Sequence, residues 1–209
     1  MLNADVLTFQ EFVMHEPLPL SKIQEAVLEF LQGRDDIALF GAQAVNAYVS
    51  EPRATQDVDI ISTRAKEFAE ELQEHLSERF HIAVRVREVK DKGLRLYQAR
   101  KEGNRHLVDV RLESDLPESR TIEEINVLTP IELIISKVLS YESRRGKPKA
   151  GTDWRDLGML LVRFPELKTA DGEVARLLRE RGVSEFAIGF WHELVEQDFT
   201  VDEDDDLSF

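Results

Sequence analysis

The sequence predicts an α+β fold, with a mixed or antiparallel sheet flanked by helices and followed by a C-terminal helical region. An apolar run leads into a glycine and a helix-like stretch over residues 37–50, strand-like runs fill residues 82–112, and helical patterns dominate beyond residue 130. We expect four segments: N-terminal helices in 1–35, a core in 36–128, a helical region in 129–196, and a disordered acidic tail in 197–209.

The first elements alternate between helix and strand. Ser21 and Gln24 have the spacing of a capping box, which predicts a helix that stops at Gly33. Residues 37–40 then form a short apolar strand, and Gly41 at its end opens a helix-compatible stretch. Proline ends that stretch at position 52, because the residue before a proline avoids helical geometry.

A second strand, a charged helix and a meander follow. The pattern predicts a strand over residues 57–62 and an amphipathic helix over residues 64–79. Turn residues separate three further strand-like runs, which predicts an antiparallel meander over 82–89, 94–100 and 106–112. From residue 129 a threonine, a proline and a glutamate form a helix start, and the helical patterns after it cover 130–143, 153–163 and the segments beyond 171.

The composition excludes several classes of protein. The chain has 209 residues, of which 42% are apolar and 33% charged, and it contains no cysteine. Disulfide scaffolds, thiolate metal sites and cysteine nucleophiles are therefore excluded. No stretch approaches the roughly 18 apolar residues of a membrane span, and acids stand where a signal peptide needs bases. We expect a cytoplasmic protein with no membrane partner.

The formal charge of −14 hides an inversion of sign along the chain. Residues 196–209 hold seven acids and no base, whereas residues 79–111, the basic segment, hold ten lysines or arginines against four acids. A positive segment inside an acidic chain attracts phosphate groups. The alternative is a set of solvated strand and loop faces.

Asp57 and Asp59 form an Asp-x-Asp motif on a predicted strand. One residue separates them, so both carboxylates project from the same face of the strand. Carboxylates held this close repel each other, a divalent cation relieves the repulsion, and oxygen ligands suit Mg²⁺ or Mn²⁺. The motif alone carries little weight, because a chain this rich in aspartate contains one by chance.

Asp109 adds weight to the motif, because aspartate is depleted in strands. Alternation along residues 106–112 places Asp109 and His106 on opposite faces, and the histidines of the chain show no metal-ligand spacing. If this strand neighbours that of Asp57 and Asp59, three carboxylates converge in an arrangement suited to two-metal phosphoryl or nucleotidyl displacement. The alternative is an edge-strand or arginine-paired surface carboxylate.

Three further residues near this motif are candidates for phosphate contacts. Gly41 opens a helix whose first N–H groups are free to bind phosphate, although an ordinary tight turn is the alternative. Arg53 and Thr55 lie just before Asp57, where a guanidinium and a hydroxyl meet phosphate oxygens or brace the carboxylates.

In this order the motifs resemble the nucleotidyltransferase superfamily with the DNA-polymerase-beta-like fold. Its signature is a Gly-Gly or Gly-Ser turn, an Asp-x-Asp strand and a later strand aspartate. The matching residues here are Gly41-Ala42, Asp57-x-Asp59 and Asp109. The string Arg53-x-Thr55-x-Asp57-x-Asp59, with the later TPIELIISKVLSYESRRGKPKAGTDWRDL, is similar to AbiEii-type abortive-infection nucleotidyltransferase toxins. The likeness covers about residues 20–163 and implies a nucleotidyltransferase-type sheet in the core.

The resemblance implies an NTP-dependent transferase that moves a nucleoside monophosphate from ATP or another triphosphate to a hydroxyl. Asp57 and Asp59 would hold two Mg²⁺ or Mn²⁺ ions, and Asp109 would ligate the ion nearest the attacking hydroxyl. This agrees with the chemistry of nucleotidyl transfer, which needs charge neutralisation and alignment more than covalent participation.

The resemblance also assigns phosphate contacts. The amides of Gly41 and Ala42 would cradle the phosphates, while Lys137 and Arg53 would neutralise the leaving pyrophosphate and Thr55 would assist nucleotide binding. Ala42 departs from the family pattern, because a side-chain hydroxyl is lost there and only backbone contacts survive.

The family also has a lysine and two aspartates in later helices, which correspond here to Lys137, Asp153 and Asp156. The alternative for Lys137 is a helix-surface lysine. For the two aspartates it is a helix N-cap and first-turn acid pair.

The expected acceptor is an RNA end, with the 3′ end of tRNA suggested by the related toxins and bound by the basic segment. Modification of a small hydroxylated molecule or of a protein side chain is an alternative that the overall acidity favours. A catalytically silent member that binds nucleotide or a partner is a third, which Ala42 favours. The resemblance also implies a toxin–antitoxin or phage-defence setting with a cognate antitoxin.

Overall fold

The structure, a computed structural model, describes residues 18–89 and 93–199. Over these residues the protein has an α+β fold with seven α-helices and one seven-stranded mixed sheet, as predicted. The chain divides into two compact units between Thr129 and Pro130. All described strands and three helices belong to the first unit, and four helices belong to the second.

The first unit contains the helices α1 (Leu20–Leu31), α2 (Gly41–Asn46) and α3 (Ala65–Phe80). Its strands are β1 (Ile37–Phe40), β2 (Val58–Ser62), β3 (Val84–Val89), β4 (Gly93–Gln98), β5 (Arg105–Leu112), β6 (Ser119–Ile122) and β7 (Ile125–Leu128). The second unit contains α4 (Pro130–Ser143), α5 (Ala150–Arg163), α6 (Glu173–Glu180) and α7 (Glu185–Glu196), with a short 3₁₀ turn at Pro165–Leu167.

The sheet has the strand order β3-β4-β5-β2-β1-β7-β6. Strands β3, β4 and β5 form the predicted antiparallel meander. Strand β2 pairs in parallel with β5 and antiparallel with β1, while β1 pairs in parallel with β7. After β2 the chain passes through α3 and the first two strands of the meander. It then returns as β5 beside β2, which is the strand of the Asp-x-Asp motif.

Burial explains why the central strands and α3 form where the sequence pattern predicts them. Val58 and Ile60 on β2 are fully buried, and Phe68, Leu72 and Leu76 form a fully buried stripe along α3. Each such side chain contributes roughly 1.5 to 3 kcal/mol of burial free energy. The stripe and the strand are thus held by the same hydrophobic core.

The start of α1 differs from the predicted capping box. The helix begins after Pro19, and no side chain caps it. Ser21 lies inside the helix, and Gln24 instead donates a hydrogen bond of 2.9 Å to the backbone oxygen of Thr55. The pattern Ser21–Gln24 was therefore correct for the helix and wrong for the cap, because Gln24 binds a distant loop.

Helix α2 is shorter than predicted, and two strands were not predicted. The Asn46 side chain donates to Arg53 O at 2.8 Å and accepts from Arg53 N at 3.0 Å, which ends α2 by closing the following loop. Strands β6 and β7 pair with each other, and β7 extends the sheet beside β1. At four residues each, they are too short for a periodic signal.

The second unit is built around helix packing. Helix α4 begins at Pro130 as predicted and packs on α5 and α7. Its Leu133, Ile134 and Val138 are fully buried, as is Trp191 on α7. These apolar faces place the unit's core along α4.

Several predictions fall outside the described residues. The acidic tail lies there apart from residues 197–199, as do residues 90–92 of the predicted turn after β3 and the first 17 residues of the chain. The division into four segments stays a prediction. Over residues 18–89 and 93–199, every helix is too short or too polar to cross a membrane.

Candidate active site

Asp59 and Asp109 lie side by side on neighbouring strands. The parallel register of β2 and β5 pairs them directly, so both carboxylates project from the same face of the sheet. Asp59 and Asp109 belong to a row of side chains that are paired across neighbouring strands. On one side this row contains Arg95 on β4 and Arg87 on β3, and on the other side it contains Phe40 on β1. The expected adjacency of the two aspartate strands is confirmed.

Asp57 completes a group that we call the acid cluster: Asp57, Asp59 and Asp109. Asp57 directly precedes β2. One of its carboxylate oxygens lies within 4.8 Å of a carboxylate oxygen of Asp109 and of a ring nitrogen of His106, and these last two atoms are equally close to each other. Thr55 Oγ1 lies 3.2 Å from Asp57 Oδ1 and 3.2 Å from its backbone oxygen. Thr55 therefore braces a carboxylate, which is one of its two predicted roles.

A bulge changes the face on which His106 lies. The register between β4 and β5 shifts between Leu96 and Tyr97, so that His106 pairs with Tyr97 and faces the acid cluster. His106 Nε2 is 3.0 Å from Asp109 Oδ1, and Nδ1 is 3.5 Å from Asp57 Oδ2. The prediction that His106 and Asp109 occupy opposite faces was wrong, and the spacing criterion that set the histidines aside missed this residue.

Asp109 is paired with Arg95 across the sheet. Arg95 Nε donates to Asp109 Oδ1 at 2.8 Å, and Nη2 donates to Oδ2 at 2.9 Å. Because β5 lies between β4 and β2, Asp109 is not on an edge strand, and its side chain is only 27% exposed. The alternative reading of Asp109 was thus right about an arginine partner and wrong about the edge strand.

The charges around Asp109 strongly favour its ionised form. Burial acts to raise the pKa of this carboxyl, but the contacts with His106 and Arg95 outweigh burial and lower the pKa to about 2. The hydrogen bond to Asp109 in turn raises the pKa of the Arg95 guanidinium, to which the charges of Asp57 and Asp59 add. The guanidinium therefore lies within the field of all three carboxylates.

Gly41 lies against the Asp59 side chain. Its φ of +71° is one that L-residues with a side chain rarely adopt. A Cβ at this position would lie 1.9 Å from Asp59 Oδ2 and 2.8 Å from Asp59 Cβ. The turn between β1 and α2 therefore requires glycine at position 41 for two reasons: the backbone conformation there, and the space that Asp59 occupies.

Two members of the acid cluster, Asp57 and Asp109, fit a divalent cation together with His106. Ligand atoms on opposite sides of an ion with bonds of about 2.1 to 2.4 Å lie about 4.2 to 4.8 Å apart. The Asp57, His106 and Asp109 ligand atoms satisfy this limit. Carboxylate and imidazole donors are chemically suited to such ions.

Ala42 lies in α2, directly after the glycine turn, and Arg53 lies in the loop that follows α2. The Arg53 backbone is fixed by Asn46, and its Nη1 lies 3.4 Å from Ala54 O. Ala42 is buried in α2 directly after Gly41. Their predicted phosphate contacts stay predictions.

Lys137 belongs to the second unit, where it forms a buried ionic cluster. Its Nζ lies 2.6 Å from Asp156 Oδ2 and 3.4 Å from Asp153 Oδ1, and Arg144 Nη1 lies 2.8 Å from Asp153 Oδ2. The Lys137 side chain is 8% exposed, so the alternative of a surface lysine is wrong. Asp153 lies in the first turn of α5 and is not its N-cap. A role for Lys137 in pyrophosphate binding stays a prediction.

Basic side chains continue the face of the acid cluster. Arg87 is the cross-strand neighbour of Arg95, and Arg85 is the neighbour of Tyr97, which itself pairs with His106. Arg85 and Arg87 are both exposed on the edge strand β3. Part of the basic segment thus lies in the same rows as the carboxylates.

Comparison with known proteins identifies relatives by sequence family and by fold. The model of the family described as "Nucleotidyl transferase AbiEii toxin, Type IV TA system" matches residues 25–207. Comparison with curated protein sequences gives no significant match.

Two solved structures share the fold at low sequence identity. The Megavirus polyadenylate synthase is 13% identical with a TM-score of 0.60, and the match covers 78% of this chain and 35% of that one. JHP933 from Helicobacter pylori is 13% identical with a TM-score of 0.53, and the match covers 91% of this chain and 93% of that one. The chain therefore spans about a third of the viral enzyme and nearly all of the bacterial protein.

Proposed function

Because the chain belongs to the AbiEii family of nucleotidyltransferase toxins, we propose that it moves a nucleoside monophosphate from a nucleoside triphosphate to a hydroxyl of RNA. The acceptor hydroxyl loses its proton to solvent, its oxygen forms a bond to the α-phosphorus, the bond from that phosphorus to the bridging oxygen of the β-phosphate breaks, and pyrophosphate leaves. The 3′ end of tRNA is the acceptor to test first.

The observation that carries this proposal is the direct pairing of Asp59 with Asp109, beside Asp57 and the Gly41 turn. Two strands from distant parts of the chain place these acids on one face. Asp57, Asp59 and Asp109 would hold Mg²⁺ or Mn²⁺, which neutralises charge on the triphosphate and lowers the pKa of the acceptor hydroxyl when bound. Thr55 orients Asp57, and Gly41 leaves room for Asp59.

The basic side chains on the same face support a polyanionic acceptor. Arg85 and Arg87 lie on the edge strand at one end of the rows that contain the acid cluster. No carboxylate within residues 18–89 and 93–199 pairs with either guanidinium. Exposed guanidiniums two strands away from Asp109, on the same face of the sheet, suit an acceptor whose phosphates lead to the reacting hydroxyl.

A small hydroxylated molecule or a protein side chain offers no such run of phosphates. We therefore place RNA first among acceptors, although the chain as a whole is acidic. The family description supports a toxin–antitoxin setting, and we propose that a cognate antitoxin restrains this protein in the cytoplasm.

The transfer reaction is tested with α-labelled triphosphates. Wild-type protein is incubated with each labelled NTP, Mg²⁺ or Mn²⁺, and either total RNA or purified tRNA. We expect label on RNA with wild type, none with Asp59→Ala, and full labelling with the control Asp35→Asn, which changes an exposed acid outside the cluster. Label transfer that survives Asp59→Ala would exclude the acid cluster from the reaction.

RNA binding is tested through its salt dependence. Each phosphate contact contributes roughly 0.7 to 0.9 to the slope of log K against log salt. Replacing Arg85 and Arg87 by Gln together should therefore lower the slope for tRNA by about 1.4 to 1.8. Arg120→Gln on β6, the opposite edge strand, is the matched control and should leave the slope unchanged. Equal slopes for all variants would place RNA elsewhere.

A catalytically silent, nucleotide- or partner-binding protein is the second candidate. Two observations favour it: Ala42 lacks the hydroxyl of the family turn, and Arg95 already neutralises both oxygens of Asp109. Calorimetry with Mg²⁺ and a non-hydrolysable NTP separates the transferase from a silent partner-binding protein, and a silent nucleotide-binding protein is recognised by nucleotide binding without label transfer. Metal-dependent nucleotide binding supports the transferase, whereas no heat at millimolar ligand favours the silent partner-binding protein.

A further inference from the structure

We propose that His106 supplies a ring nitrogen to the cation held by Asp57 and Asp109, and that this nitrogen makes the site prefer Mn²⁺ to Mg²⁺. The inference rests on the proposed function in taking the acid cluster as a metal site. It adds a ligand that the nucleotidyltransferase motif of three aspartates does not contain.

His106 Nε2 lies at a distance from Asp109 Oδ1 that two ligands of one ion would have. It is buried and lies 3.0 Å from Asp109 Oδ1, yet it has no hydrogen-bond partner within the described part of the chain. Adjacent ligands on an octahedral ion with bonds of about 2.1 Å are separated by about 3.0 Å. The separation therefore matches two donors that share an ion.

The bulge in β5 is the reason that His106 reaches the cluster. Without the register shift at Leu96 and Tyr97, strand alternation would direct His106 to the opposite face from Asp109. Bulges next to active sites commonly re-aim a side chain. Asp57 Oδ2 lies 3.5 Å from Nδ1, and one ligand atom each of Asp57, His106 and Asp109 lie within 4.8 Å of one another, which is close enough for all three residues to contact one ion.

The donor set determines which ion is favoured. Mg²⁺ selects oxygen ligands and keeps several waters. An imidazole nitrogen binds a transition-metal ion more strongly than it binds Mg²⁺. Mn²⁺ accepts the carboxylates of Asp57 and Asp109 and also gains from the nitrogen. Removing the nitrogen should therefore weaken Mn²⁺ binding more than Mg²⁺ binding.

The test measures metal binding without nucleotide or acceptor. Pulsed electron paramagnetic resonance of Mn²⁺ bound to the wild-type chain should show coupling to a directly bound ¹⁴N nucleus. His106→Gln, which keeps an oxygen donor, should abolish this coupling and weaken Mn²⁺ binding about tenfold or more. Mg²⁺ affinity, measured by competition, should fall less, so that the ratio of the two affinities decreases.

His81→Asn is the matched control. His81 is an exposed histidine with a φ of 52°, a conformation that asparagine tolerates, and it should leave both the ¹⁴N coupling and the affinity ratio unchanged. Circular dichroism and urea unfolding establish that both variants are folded, and the wild-type spectrum tests the ligand without any variant.

Three results would overturn the inference: no Mn²⁺ bound at millimolar concentration, a wild-type spectrum without nitrogen coupling, or an unchanged affinity ratio in His106→Gln. Failure of the proposed function gives a different pattern. Nitrogen coupling that depends on His106, in a protein that transfers no label to RNA, would refute the proposed reaction and leave the ligand assignment intact.

Discussion

The replacement Gly41→Ala tests how closely the glycine turn and the acid cluster depend on each other. The new Cβ would lie 1.9 Å from Asp59 Oδ2, and ordinary contact begins at 3.4 Å, so that oxygen must retreat by about 1.5 Å. Rotation of the Asp59 side chain cannot relieve the whole overlap, because Asp59 Cβ itself would be 2.8 Å away. The strand or the turn must therefore move.

The expected cost has two parts. Placing alanine at φ +71° costs roughly 1 to 2 kcal/mol, and overpacking costs roughly 1 to 3 kcal/mol more. Gly33→Ala separates them, because Gly33 has nearly the same φ, +70°, and nothing within 4 Å of the new Cβ. Urea unfolding should show a loss of about 1 to 2 kcal/mol for Gly33→Ala and about 2 to 5 kcal/mol for Gly41→Ala.

Activity and a double mutant complete the test. Displacing a reacting or metal-binding group by about 1 Å can cost about a hundredfold in rate, so Gly41→Ala should lower label transfer at least that much, while Gly33→Ala should not. In an Asp59→Ala background, two of the three short contacts disappear, so the added loss of stability should shrink. Equal stability losses at the two glycines, with transfer unchanged, would refute the reasoning.

The remaining predictions concern two charged clusters. The pKa of Asp109, lowered to about 2 from an ordinary 3.8, contributes on the order of 2 kcal/mol of stability that is present above pH 4 and lost as the pH falls toward 2. Arg95→Gln should raise this pKa and move acid unfolding, followed by circular dichroism in EDTA, to higher pH; an unmoved midpoint would contradict the ion pair. The same variant should bind Mn²⁺ more tightly in a paramagnetic-resonance titration, since the guanidinium no longer competes for Asp109, and weaker binding would show that Arg95 assists the ion. Lys137→Met leaves the buried carboxylates of Asp153 and Asp156 without this cation, so urea unfolding should show a loss of about 3 to 5 kcal/mol, and a loss below about 1 kcal/mol would argue against a buried cluster.

Local periodicity explains how much of the fold could be predicted. The stripe on α3 and the alternation along the meander arise from the repeat of 3.6 residues in a helix and two in a strand, and both elements formed where expected. Short elements carry no such signal. Strand β7 pairs with β1 and with β6. Neither β6 nor β7 was predicted, because both depend on this pairing rather than on a local pattern.

The site shows the same division. The shared face of Asp57 and Asp59 follows from their spacing, and the glycine turn from the residue type at position 41. The positions of His106 and Arg95 follow from the pairing of β4 with β5, where one bulge redirects a histidine and the register sets an arginine opposite an aspartate.

The sequence alone thus determined the α+β class and the family resemblance, which follow from the order of local patterns along the chain, and also the acid motif and the glycine turn, each of which is a pattern of a few residues. Only the tertiary structure decided that Asp109 stands beside Asp59, that His106 joins them, and that Lys137 is buried between aspartates. These contacts depend on strand register and helix packing across long separations in the chain, which local spacing does not encode.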